Sequence, residues 1–479
     1  MKRKFLEGNV DSSSSSSGWP DDDDDDDDAD LESSHKNAPK PYACRAPQRE
    51  SWPCRRDENG DLVALVPKES LWWSHYIENP PLQSSRFHSK FRHRFRLDYN
   101  LFLQLLEVVK SETRLFGKWT KKDAAGRDSS PIELLLLGTL RYIGRDAKLD
   151  DMEENTAVSL ETHRLFLHSF LEFASTVLYE RHVVAPNTIA EADVIQSDFA
   201  EAGLPGCIGS MDATHVTMLR CPSKLKNQHD GFKQNLPART YNIVTNHRRG
   251  IISSTLGHPC RYNDKTLVMF DKFVKQIHEG EFLSEYQFSL LQEVNEEIVS
   301  VRYSGVWFIT DNGYHNWSVT VPPYKDPVTY RQRRWSKWIE SMRKDVECTF
   351  GILKYRFKCL HSGVRLHGLG TTDRLWLSCC ALHNMILCAD GQDSNWSSSA
   401  DSEYVRNLGL IVGNDATRDL QINWEEIEVL ASDPIPVRSL SLTTFRERLV
   451  EHFDILWRAN KIRWPSRGGV AAQGNINMN

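Results

Sequence analysis

Gly209-Ser210-Met211-Asp212-Ala213-Thr214-His215 is the stretch on which the fold turns. The apolar approach Cys207-Ile208 leads into it, and the run from Cys207 to Leu219 reads as a strand carrying an acid. Working outward, Val306-Trp307-Phe308-Ile309-Thr310-Asp311 is a short buried strand that closes on a second acid. Arg343-Lys344-Asp345-Val346-Glu347-Cys348-Thr349-Phe350-Gly351 is a basic helix carrying a third. Singly, a strand-end Asp is a turn former or helix cap, and a helix Glu among lysines is a solvated ion pair. Together they are what two-metal phosphoryl transfer requires. Hard oxygen ligands hold paired Mg²⁺, one ion activating the nucleophile and the other stabilising the leaving oxygen.

The surrounding pattern is expected to be α/β over 203–390. Tyr241–Asn246 and Ile251–Leu256 read as a hairpin around Arg248-Arg249-Gly250. The segment 264–298 has helical spacing. Ser336–Phe357 reads as a long helix with Trp338, Met342, Val346, Phe350, Leu353 and Phe357 on one stripe, and Leu375–Leu387 as another apolar helix. That stripe leaves Glu347 on the face of Glu340, Lys344, Gly351 and Lys354. A glycine inside a long helix costs about 1 kcal/mol, so Gly351 implies a close approach there.

Residues 86–200 have helical periodicity. Pro131 opens a helix that ends near Gly144, a short helix runs from Leu149 to Asn155, and Ser159 caps a helix through Phe170. Short helix, turn and capped helix outline a helix-turn-helix, although any bundle produces that outline; its second helix offers Arg164 and His163 as groove contacts. Residues 1–65 read as a disordered acidic arm, 391–440 as an acidic linker, and 441–479 as a last helix, Thr443–Lys461, with a tail.

Charge is segregated. Residues 1–34 carry a net −9 and 390–438 a net −7, so the rest holds +10 within an overall −6. The basic residues gather around the acids, in 220–249 and 331–365, with aromatics interleaved. Arg248, Arg249, Arg331, Arg333, Arg334, Lys344, Lys354 and Arg356 are the expected DNA contacts, because such residues position phosphates. The ten cysteines form no C-x-x-C pair, which points to reduced thiols and away from zinc. Lys2-Arg3-Lys4 leads into polar sequence, so no secretory leader is expected, and no run reaches the ~20 apolar residues of a membrane span.

The motifs resemble those of PIF/Harbinger-type transposases as a set. The block Gly203–His215 resembles the first catalytic block, Gly257-His258-Pro259-Cys260-Arg261-Tyr262-Asn263-Asp264 the Pro-Gly-Ser-x-x-Asp block, and Thr310–Tyr314 with Val321–Tyr324 the Asp-x-Gly-Tyr and Pro-Tyr elements. Val346–Phe357 resembles the Glu-x-x-Phe-Gly-x-Leu-Lys-x-Arg-Phe block, and Ala381-Leu382-His383-Asn384 the closing Leu-His-Asn. Cys260 and Arg261 stand where the family often has Gly and Ser. The resemblance implies a ribonuclease H-like catalytic domain with Asp212, Asp311 and Glu347 as a metal-binding D-D-E triad for Mg²⁺ or Mn²⁺. It further implies double-stranded DNA as substrate, a nuclear setting and a separate Myb-like DNA-binding partner. A homo-oligomer is also among the expectations. A domesticated DNA-binding protein that keeps the fold without cutting is the alternative. The basic surface argues against a hydrolase of small phosphoesters.

Overall fold

The computed structural model describes residues 54–122, 129–231, 236–392, 420–430 and 433–464. The acidic arm over 1–34, Lys233 and most of the acidic linker lie outside the described residues. Within the expected arm, Cys54–Arg56 pairs antiparallel with Leu62–Ala64. Among the described residues no helix is long and apolar enough to cross a membrane.

The helical segment forms α1 (Ser85–Phe95), α2 (Tyr99–Ser111), α3 (Ile132–Arg145), α4 (Leu149–Thr156) and α5 (Leu160–Phe173). Local chemistry sets their ends. Ser84 and Asp98 cap α1 and α2, accepting from the Phe87 and Leu101 N–H groups. Pro131 precedes α3, and the Ser159 hydroxyl accepts from Thr162 N–H to cap α5. Helix α6 (Ile189–Glu201), capped by Thr188, leads to the sheet.

That sheet contains β1 (Cys207–Thr217), β2 (Ala238–Thr245), β3 (Ile251–Ser254), β6 (Trp307–Ile309) and β7 (Thr320–Val321); β4 (Gln287–Val294) and β5 (Glu297–Ser304) fall between β3 and β6 in the chain. The spatial order is β7-β6-β1-β2-β3. Strands β1, β2 and β3 run antiparallel in turn, whereas β6 is parallel to β1 and β7 to β6. The fold is therefore mixed α/β.

The segment 264–298 departs from its helical expectation. It begins with α7 (Asp264–Phe270) and α8 (Lys272–Glu279), then turns into a hairpin of β4 (Gln287–Val294) and β5 (Glu297–Ser304). Its two-residue turn is Asn295-Glu296, both at positive φ. Short strands at Glu428–Val429 and Ile435–Pro436 lie parallel to β5, so part of the expected linker is held in a second sheet.

Long helices follow in the rest of the described chain: α9 (Tyr330–Arg356), α10 (Leu369–Ala389) and α11 (Leu442–Arg458). Helix α9 starts six residues earlier than its apolar stripe indicates. Thr329 and Gln332 close a reciprocal capping box ahead of it.

The apolar residues divide into two cores. One joins α1–α5 to α10 and to Val216, Tyr241 and Ile243 of the sheet. The other joins α6, the opposite sheet face through Met211 and Val244, the β4–β5 hairpin and α11. Helix α9 runs through both, with Trp335, Trp338 and Met342 in the second and Val346 and Leu353 in the first.

Candidate active site

Asp212 lies within β1, and Asp311 follows the end of β6 by two residues. Ser210 pairs with Ile309 in the parallel register, so each acid lies two residues beyond a matched pair. This brings the two acids to the same end of neighbouring strands, where the charge of Asp311 acts on Asp212. Asp311 folds into its own turn, accepting the Gly313 N–H at 2.8 Å. Gly313 also permits a close approach: a Cβ there would stand 2.6 Å from Asp264 Oδ2 and 3.0 Å from Asp311 Oδ1. Asp264, the first residue of α7 after its Asn263 cap, thereby joins the group. Beneath the acids, the buried Tyr314 hydroxyl donates to Asn242 Oδ1 (2.7 Å), and Asn242 Nδ2 donates to the buried Asp271 (2.7 Å).

Glu347 reaches this group through Arg343, one turn earlier on α9. Arg343 Nη1 donates to Asp212 Oδ2 at 3.1 Å, and Nη2 is 2.6 Å from Glu347 Oε1. One guanidinium thus joins the strand acid to the helix acid. Burial is the main force on Asp212 and pushes its carboxyl up to about 6; Asp311 and Asp264 push the same way, while the Ala213 N–H and Arg343 oppose. Burial and the same carboxylates raise the Tyr314 hydroxyl.

The donor set suits a hard divalent cation, because every ligand offered is a carboxylate oxygen and Asp264 and Asp311 both repel the Asp212 carboxylate. The spacing is a separate matter. Among the described residues no group of three or more His, Cys, Asp or Glu side chains stands close enough to hold a metal ion. Arg343 is the cation that balances Asp212 and Glu347.

The other residues singled out from the sequence take varied positions. Arg333 and Lys344 are exposed on α9, and Arg331 is half-exposed with its Nε 3.1 Å from Asp454. Arg334 is buried and paired with Asp454 at 2.9 Å. Arg248 pairs with Asp198 at 2.9 Å, and Arg249 lies 3.8 Å from the buried Asp345. Lys354 turns inward, donating to Thr214 Oγ1 (2.9 Å) and His215 O (3.0 Å), and burial lowers its pKa. Arg356 donates to His383, and burial brings it down to about 10. His215 is hydrogen-bonded to Thr240, as a structural histidine would be. In α5, His163 is buried and Arg164 pairs with Glu161. Where a side chain would extend from Gly351 there is open space, so no described protein atom makes the close approach its position implies.

Two motif blocks prove to be braces. Arg239 and Asp373 form a buried ion pair, and Tyr241 donates to the same carboxylate. Gly257 passes against this pair with no room for a Cβ. At the end of the sheet, Asn384 acts as a substitute strand: it accepts from the Ile251 N–H and donates to the Ile251 and His182 carbonyls. His383 Nε2 lies 3.0 Å from Arg249 O. Asp264 and Arg343 are the site residues that sequence reasoning passed over. The Asn-Asp at 263–264 was a signal for the first; nothing in the sequence marked the second.

Residues 184–394 match the plant transposon protein family. The chain is 24% identical to a Protein ALP1-like of Arabidopsis thaliana over 327 residues, which covers 66% of this chain and 75% of that protein. No solved structure matches it. Asp212, Asp264, Asp311, Arg343 and Glu347 all fall inside the segment similar to transposon proteins.

Proposed function

We propose that this chain is a transposase-type DNA endonuclease of the D-D-E class, acting on double-stranded DNA with Mg²⁺ or Mn²⁺. The observation that carries it is the register of β1 against β6, which brings Asp212 and Asp311 to the same end of neighbouring strands, together with the guanidinium that ties Glu347 to Asp212. The sheet order, with three antiparallel strands followed by two parallel ones, supports a ribonuclease H-like domain. A helix-turn-helix role for α4 and α5, and a PIF/Harbinger affiliation, belong to the same proposal. Asp212 and Asp311 would hold the ions, with Asp264 beside them, and Glu347 would complete the set. Bound ions would supply an activated nucleophile and leaving-group stabilisation. The chain's part is to hold these carboxylates aligned while the exposed face of α9 carries the phosphate backbone.

Arg343 favours a second reading, a DNA-binding protein that no longer cuts, because its cation already balances two of the three acids. The two readings separate on one set of proteins. Wild type should bind Mn²⁺ by electron paramagnetic resonance and nick duplex DNA, with both lost in chelator. Asp212→Asn, Asp311→Asn and Glu347→Gln should retain DNA binding and lose nicking by several orders of magnitude. Wild type that binds DNA but neither binds Mn²⁺ nor nicks would establish the second reading. Glu340→Gln, exposed on the same helix, is the control; Asp345 is unsuitable because it is buried against His247 at 2.6 Å.

A further inference from the structure

Away from the acids, α1 and α3 end side by side and gather four arginines and a histidine. Arg94 and Arg96 come from the end of α1 and Arg141 and Arg145 from the end of α3, with His93 between. Arg145 Nη1 lies 3.0 Å from His93 Nε2. Arg96 Nε donates to Gly144 O at 3.1 Å, Arg141 Nη1 to Arg94 O at 3.4 Å, and Arg94 to the Tyr76 hydroxyl. Among the described residues none of these four guanidiniums is paired with a carboxylate.

Helix C-termini attract cations, which accounts for an arginine at each end. It does not account for the way the cluster is built. Arg96 holds a left-handed backbone, φ 68, that side chains rarely adopt. Gly144 leaves it room, since a Cβ there would stand 2.6 Å from Arg96 Cγ. The cations also disfavour one another. Burial first and then Arg145 lower Arg96 and Arg141, and burial with the four arginines lowers His93. Each guanidinium has five N–H donors, and the hydrogen bonds above use few of them.

The cluster adjoins the candidate site. Arg96 stands 6.0 Å from the centre of the Tyr355 ring, which is 81% exposed. Tyr355, Gly351 and Glu347 follow at four-residue steps along the exposed face of α9. Tyr355 is therefore about 12 Å from Glu347, the length of about three to four base pairs.

We infer that the arginine cluster at the ends of α1 and α3 is a second phosphate-binding surface, which holds duplex DNA a few base pairs to one side of the acids. The direction of that path rests on the nuclease reading. Gly351, with open space at its Cβ position, and Tyr355 lie beneath the backbone between the two.

The test is fluorescence anisotropy of the full chain with a labelled duplex over a salt series, without divalent ions. Arg141→Gln with Arg145→Gln should weaken binding about tenfold and lower the slope of log K against log salt by about 1.8, or ~0.9 for each phosphate no longer neutralised. The corresponding double Lys variant should keep the slope. Arg448→Gln, on α11 and paired with Glu451, should leave it unchanged. The surface is overturned if the double Gln variant keeps the wild-type slope, if the double Lys variant loses it too, or if wild type shows no slope. An equal effect of Arg448→Gln would make the slope a matter of overall charge and also overturn it. Wild type that binds through the cluster yet never nicks with Mg²⁺ or Mn²⁺ would remove the nuclease reading and leave the surface standing.

Discussion

Arg343 is the residue on which the two readings of the site divide, and it shows how much a single side chain can conceal. In the sequence it is one basic residue among ten in 331–365. Its partner Asp212 is 131 positions away, and only the packing of α9 over β1 joins them. His163 is similar. It appears on the candidate reading helix as a groove contact, yet it is buried beside Gly138 with its Nε2 2.8 Å from Thr156 Oγ1. Burial brings its imidazole down to about 4 from the usual 6.5. Below pH 6.5 the unfolded chain takes up a proton that the folded chain resists, so His163 lowers stability as pH falls from 6.5 toward 4 and has no such effect above 6.5. At pH 5 the loss relative to pH 7 is about 2 kcal/mol. Asp212, raised, acts in the opposite direction, so the useful comparison is with a variant. His163→Gln should show a flatter melting-temperature profile than wild type between pH 7 and pH 5. Parallel profiles would mean that this histidine titrates normally.

The elements were legible where local chemistry decides them. The caps at Ser159 and Pro131, the strand from Cys207 and the apolar stripe of α9 all follow from short-range pattern. The β4–β5 hairpin escaped because its turn, Asn295-Glu296, lacks the glycine that usually marks two positive-φ positions, and its residues mimic helical spacing. The sidedness of α9 was only half legible. Tyr355 could be assigned to either face from spacing alone, and Arg334 is inward because Asp454, 120 residues on, waits there with Arg331 and Arg458. A prediction follows at this scale. Lys337→Gln with Lys344→Gln, both on the exposed face, should lower the salt slope of duplex binding by about 1.8. Asp454→Asn should instead lower stability by about 3 kcal/mol, through loss of its buried ion pair with Arg334, with the slope unchanged. The reverse pattern would show that α9 presents its other face to DNA.

For the whole molecule, the division into a helical segment and an α/β segment is less informative than the division of the core. Helices α1–α5 and α10 share one core with the sheet, and α9 passes from the second core into the first near Glu347. Helix α11 holds the other half of α9, with Phe453 and Trp457 against Trp338, while Phe445 is buried against Phe288, Tyr303 and Trp307. Phe445→Ala should therefore lower stability by about 3–5 kcal/mol. Differential scanning calorimetry would show this as a lower melting transition. An unchanged transition would mean that α11 is not part of the core that positions α9.

The placement of α11 also has a consequence in time. Asp212, Asp311 and Glu347 are synthesised first, and the helix that clamps α9 emerges about a hundred residues later, on the order of ten seconds at ordinary elongation rates. The β4–β5 hairpin, inserted between the two strand acids, waits for the same helix and for the short strands before it. Contacts this distant in sequence close slowly. A nascent chain therefore carries all three acids with the α11 clamp on α9 still missing, and its site is completed only after the last helix has docked.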